Sequence, residues 1–105
     1  MREEARLVTK IRKSSGNVFT DLGFDPGEAV HLRIRADLMI ELSRFIAAHG
    51  LTQANAARKF GVTQPRISDL VRGKIDRFSI DTLVTMLGHA GVRVTVSTRK
   101  RARVA

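Results

Sequence analysis

Between Thr52 and Gly73 the chain reads TQANAARKFGVTQPRISDLVRG, and the spacing of its small and apolar residues leaves few ways to fold. With Gln53 as position one, Ala57 is position five, where a small side chain lets two helices cross closely. Gly61 is position nine, where a left-handed turn residue is wanted. Val62, Ile67 and Leu70 are positions ten, fifteen and eighteen, the inward-facing apolar set, and Phe60 adds an apolar residue ahead of the turn. Agreement at fixed spacing implies a helix-turn-helix rather than an ordinary helical hairpin. In such a unit the second helix is the one that enters the DNA major groove.

The flanks predict the elements that would hold this unit. Asp25-Pro26-Gly27-Glu28 is a helix start: a capping carboxylate, a proline in the first helical position and an acid three after the cap. The helix should run to about His49 and stop at Gly50. Val30, Ile34, Leu38, Leu42, Phe45 and Ile46 form one apolar stripe, with Leu32, Met39 and Ile40 off it. A helix apolar on two sides is expected to be covered twice, by the core and by an N-terminal flap or a second subunit. Helix two should start at the cap Thr52 and end near Phe60. Helix three should start at Thr63, hold Pro65 in its first turn and end at Gly73, followed by a loop over Lys74 to Phe78. Ser79 caps a fourth helix, with Asp81 in its first turn and Ile80, Leu83, Val84 and Leu87 as its core face, ending around His89-Ala90-Gly91.

The ends read differently. Residues 1–16 carry Arg2, Arg6, Lys10, Arg12 and Lys13 against Glu3 and Glu4, and are expected to form a flexible basic arm with a short strand candidate at Leu7 to Ile11. Val18 to Phe24 is too short for a stable helix of its own, and its Phe19, Leu22 and Phe24 should pack as a flap. Val92 to Thr98 alternates strictly, with Val92, Val94 and Val96 on one face, which is the pattern of a strand. A lone strand leaves its backbone groups unpaired. Its candidate partners are a second copy of itself, Leu7–Ile11 or the sheet edge of another protein; a two-fold pairing is preferred. Residues 99–105 form a basic tail. The domain plan is thus an arm (1–16), a DNA-binding domain (17–91), a dimerisation strand (92–98) and the tail.

Charge points the same way. The 105 residues hold 19 Lys+Arg against 10 Asp+Glu, a net charge of +9. Such a surplus in a small domain implies a polyanionic partner. No apolar run is long enough to span a membrane, and no helix has the basic-plus-aromatic pattern of a membrane-surface binder. The first residues lack the apolar block of a signal peptide, so a cytoplasmic, nucleoid-associated location is expected. Cysteine is absent, which removes disulfides and thiolate metal sites. His31, His49 and His89 are far apart and read as surface or helix-end residues, and no glycine-rich phosphate loop or nucleophile elbow occurs. The chain is expected to be no enzyme and to hold no cofactor or metal.

The stretch TQANAARKFGVTQPRISDLVRGK resembles the DNA-binding core of Xre/Cro-type repressors. The wider span from Asn17 to Thr98 resembles the HigA-like subgroup, through NVFTDLGF, LTQANAARKFGVTQPRISDLVRGK, RFSIDTL and the closing valines. The resemblance implies an all-α, compact bundle of the phage-repressor type, with the C-terminal strand paired across a dimer. It implies a transcriptional repressor, and many of the subgroup are antitoxins that autoregulate an operon and neutralise an RNase-type toxin, here a RelE/HigB-like one. The competing readings are a solitary regulator without a toxin, and a protein-interaction module that uses the motif as scaffold.

In the family pattern the start of helix three faces base edges. That puts Gln64, Pro65, Arg66, Ser68 and Asp69 at the reading positions. A glutamine can bond adenine bidentately, an arginine guanine, a proline can touch a thymine methyl and a carboxylate can accept from cytosine. Asp69 can instead orient Arg66 or Arg72. Pro65 departs from the polar reader that many relatives carry, so their base preference does not transfer. Phosphate contacts are expected from Gln53, Thr63, Arg72, Lys74, Arg77 and Ser79, the last with the amides of the helix it caps. Arg58 and Lys59 read as a solvated face. One short helix reads only a few base pairs, so a homodimer on a double-stranded operator with two half-sites is expected.

Overall fold

A single carboxylate starts the longest element of the fold. Asp25 Oδ2 accepts from the backbone N–H of Gly27 (3.0 Å) and of Glu28 (3.3 Å), so two donors at the helix start are satisfied by one side chain. The computed structural model describes residues 18–100. The arm over residues 1–16, its strand candidate and the tail beyond Lys100 lie outside the described residues.

Among the described residues, five helices and a 3-10 turn follow in order: α1 (Val18–Asp21), α2 (Pro26–Ala48), α3 (Gln53–Phe60), α4 (Gln64–Val71), the 3-10 turn Ile75–Arg77, and α5 (Ile80–His89). The helices from α2 to α5 begin and end where the caps and glycines of the sequence place them. Thr52 Oγ1 accepts from Asn55 N–H (3.1 Å) and Ser79 Oγ from Thr82 N–H (3.1 Å). Each of α2 to α5 closes with the same long bond over a glycine: Leu51 N–H to Ile46 O, Val62 N–H to Ala57 O, Lys74 N–H to Asp69 O and Val92 N–H to Leu87 O.

The core is built from one side of each helix. Met39 and Leu42 of α2 meet Ala56, Ala57 and Phe60 of α3, Ile67 and Leu70 of α4, Phe78 of the loop, and Leu83, Met86 and Leu87 of α5. Phe45 and Phe60 meet edge to face, 5.7 Å between ring centres. The inward set read from the motif spacing is therefore the set that packs, with Val62 half-buried against it.

Three expectations change. The α2 stripe is rotated: Val30 (55% exposed) and Ile34 (42%) face outward, whereas Leu32 and Met39, placed off the stripe, are buried with Ala29 and Leu42. The helix turns its small Ala29 inward, a residue that carries no weight in a pattern of large apolar side chains. Val18–Asp21 does form a helical turn, with Phe19 and Phe24 in edge contact at 6.1 Å, yet Leu22 is 69% exposed, so the flap is only partly closed. Third, the described residues contain no strand. Val92 and Val94 are half-buried against the chain's own core and Val96 is exposed. Alternation placed Val92 and Val94 on the packed side but not Val96, and a ladder needs a second strand, which the described residues do not supply.

The turn between α3 and α4 is closed to any side chain for two reasons. Gly61 has φ of 72°, and a Cβ there would lie 2.8 Å from Nδ1 of His89. Gly61→Ala is expected to lose about 1–2 kcal/mol from the left-handed backbone alone, and more from the His89 contact. Denaturant unfolding should show Gly61→Ala/His89→Ala losing less, relative to His89→Ala, than Gly61→Ala loses relative to wild type. Equal losses would remove the steric part of the account.

Candidate nucleic-acid interface

The N-terminus of α4 is the one helix start among α2 to α5 whose cap residue makes no side-chain cap bond. Asp25, Thr52 and Ser79 all spend an oxygen on their own helix, but the Thr63 hydroxyl does not. Thr63, Gln64 and Pro65 are all exposed. Pro65 sits in the first turn and has no N–H to lose. A helix start with its cap oxygen unspent and its first side chains in solvent is suited to meet phosphate or base edges. Gln53 lies exposed at the first position of α3, behind the Thr52 cap.

The rest of the predicted set divides into two groups. Arg66, Asp69 and Arg77 are drawn together. Arg66 Nη1 donates to Arg77 O (2.8 Å), and its guanidinium carbon lies 5.4 Å from the centre of the buried Phe78 ring. Arg77 Nη1 donates to Asp69 Oδ2 at 3.4 Å. Asp69 therefore pairs with Arg77 rather than with Arg66 or Arg72. Arg72 and Gln64 stand apart from this cluster: Arg72 is exposed where α4 ends, and Lys74 is half-buried at the start of the loop. Ser68 is half-buried on α4. Ser79 accepts from Thr82 N–H and donates to Thr82 Oγ1 (3.0 Å), so its hydroxyl is engaged within α5. Arg58 donates to Asn55 Oδ1 and stays exposed with Lys59.

Sequence reading missed Arg35. Its Nη1 donates to Ile75 O (3.0 Å) and Phe78 O (3.2 Å), and its Nε to His31 Nδ1 (3.1 Å). The signal was present: position 35 falls in line with Leu32, Met39 and Leu42, a charge on the buried side of α2. A guanidinium there needs carbonyl partners, and the loop provides them.

The 63–77 segment is thus one piece, a short helix and a loop bound by side chain to backbone. It carries Arg66, Arg72, Lys74 and Arg77. Against these stand Asp76 and Asp69, the latter paired with Arg77, which leaves the segment at net +2, whereas residues 18–48 hold Asp21, Asp25, Glu28, Asp37 and Glu41 against Arg33, Arg35 and Arg44, net −2. A polyanion is drawn to the first region and repelled by the second. Lys74→Ala and Arg72→Ala are each expected to weaken specific and random duplex alike, and to reduce the slope of log affinity against log salt by about 0.9. Fluorescence anisotropy across a salt series reads this; unchanged slopes would exclude these side chains from phosphate contact.

Comparison with known proteins agrees with this geometry. Residues 18–99 match a family model described as a helix-turn-helix domain. No curated protein matches the chain.

Proposed function

The chain belongs to the helix-turn-helix domain family, and from that premise we propose that it is a sequence-specific transcriptional repressor acting on double-stranded DNA. The observation that carries the reading is the unspent N-terminus of α4, with Thr63, Gln64 and Pro65 exposed beside a basic loop. Gln64 is the principal base reader, and Pro65 supplies apolar contact. Arg66 and Asp69 act first by fixing the loop, since both are already bonded to Arg77. Ser68 lies one turn along the same helix. Gln53, Thr63, Arg72, Lys74 and Arg77 hold phosphates; at Ser79 the backbone would serve, its hydroxyl being engaged. The protein carries out no catalysis and works in the cytoplasm, at the nucleoid.

Two copies would read two half-sites, joined through residues 92–98. Val96 is 81% exposed, and residues 92–98 form no ladder with any of the described residues, which supports antiparallel pairing with a second copy. Within the Xre and HigA-like resemblance, the finer reading is an antitoxin that represses its own operon and neutralises an RNase-type toxin. The outward apolar residues Val18, Leu22, Val30 and Ile34 support a protein partner in addition to DNA. A solitary regulator would lack that partner.

Selection of bound fragments from random duplex, followed by affinity measurement, tests the DNA reading. Gln64→Ala should lose about 1–3 kcal/mol of discrimination at one base pair per half-site while random-duplex binding stays within error. Intact discrimination would return the motif to a scaffold role. For the dimer, Val96→Pro removes a ladder donor at an exposed position and is expected to sediment as a monomer. A Val96→Pro dimer indistinguishable from wild type would end the strand-pairing model.

A further inference from the structure

The loop between α4 and α5 is held from two sides by arginines. From α4, Arg66 Nη1 takes Arg77 O at 2.8 Å. From α2, some 40 residues earlier in the chain, Arg35 Nη1 takes both Ile75 O (3.0 Å) and Phe78 O (3.2 Å) in a part-buried setting. These are carbonyls at the two ends of the 3-10 turn. One bond joins them internally, from Phe78 N–H to Ile75 O at 3.3 Å. Arg35 is itself steadied by its own helix, through Nε to His31 Nδ1. A planar fork that is already oriented loses little freedom in making such bonds.

We infer that Arg35 is a positioning residue for DNA binding: it pins the backbone of residues 75–78 so that Lys74 and Arg77 are presented to phosphate, without touching DNA itself. The inference rests on reading the 63–79 face as the DNA contact. Three observations support it. Arg35 bonds only backbone on the loop, at Ile75 and Phe78, which flank Arg77. Phe78 is buried at 2% exposure, so the far end of the loop is anchored in the core while Lys74 and Arg77 stay reachable. The loop's sequence, GKIDRFS, has no proline to stiffen it, and beyond its short backbone bonds, such as Ile75 N–H to Gly73 O (2.8 Å) and Arg77 N–H to Lys74 O (3.0 Å), it is tied to α2 by the Arg35 bonds. A part-buried carbonyl that loses its donor turns toward water, and the loop moves with it.

The test is a salt series of random-duplex affinity for the full-length chain, with Arg35→Met, Lys74→Ala/Arg77→Ala and the triple variant. Arg35→Met keeps the apolar stem and removes every donor. It is expected to reduce the log–log slope by about one to two, near the loss from the Lys74/Arg77 double variant at about 0.9 per contact. In the Lys74→Ala/Arg77→Ala background it should cause no further loss. Arg35→Lys keeps the charge and is expected to lower the slope as well, because an ammonium does not reproduce the fork. Arg35→Lys also serves if Arg35→Met melts below the assay temperature. The inference is overturned if both Arg35 variants keep the wild-type slope, or if Arg35→Met weakens binding equally in both backgrounds, as a general loss of stability would. A wild-type chain with no salt-dependent DNA binding overturns the reading beneath it as well.

Discussion

Everything in this fold is referred to the crossing of α3 and α4 over Gly61. Ala57 and Ala56 let the two helices approach, and Gly61 turns the chain with a left-handed backbone that His89 leaves no room to decorate. The crossing sets the direction of α4 and therefore of Gln64. It also fixes where Ile67 and Leu70 enter the core, so stability and presentation of the proposed reading face come from the same contacts. α2 and α5 complete the core around that crossing, and their own caps fix their lengths.

A second constraint is polar rather than apolar. The short loop after α4 cannot fold on hydrophobic burial alone, since Phe78 is the only one of its side chains buried below one-tenth exposure. Arginines from α2 and α4 supply donors to its carbonyls, and Asp69 takes the side chain of Arg77. Basic residues therefore divide their work: Arg35 and Arg66 shape the loop, Arg77 is paired with Asp69, and Arg72, Lys74 and Arg77 are the proposed phosphate contacts. Net charge alone does not distinguish these roles; bonded geometry does.

Much of this was legible in the sequence because it is written in local rules. Asp25-Pro26, Thr52, Gly61, Thr63 and Ser79 mark helix boundaries through the chemistry of caps and turns, and the structure follows them. What escaped depends on distant residues. The rotation of α2 hangs on Ala29, a residue with little weight in an apolar pattern. Arg35 finds its partners about 40 residues away, which no window along the chain can see, although its place among buried neighbours was a clue. The closing valines show the limit from the other side. Alternation gave the inward face for Val92 and Val94 but not for Val96, and whether these residues form a ladder depends on a partner strand outside the described residues. Of the candidate site, the proposed reading positions follow from the family resemblance, whereas the Asp69–Arg77 pairing could come only from three dimensions.

On the proposed function one face, Thr63 to Ser79 with the start of α3, meets DNA, while α1 and the first half of α2 do not. Amide chemical-shift mapping on titration with a duplex tests it most directly. Perturbations should concentrate at residues 52–53 and 63–79 and leave residues 18–34 unmoved. Perturbations centred on the acidic and apolar surface of α1 and α2, with 63–79 silent, would contradict it.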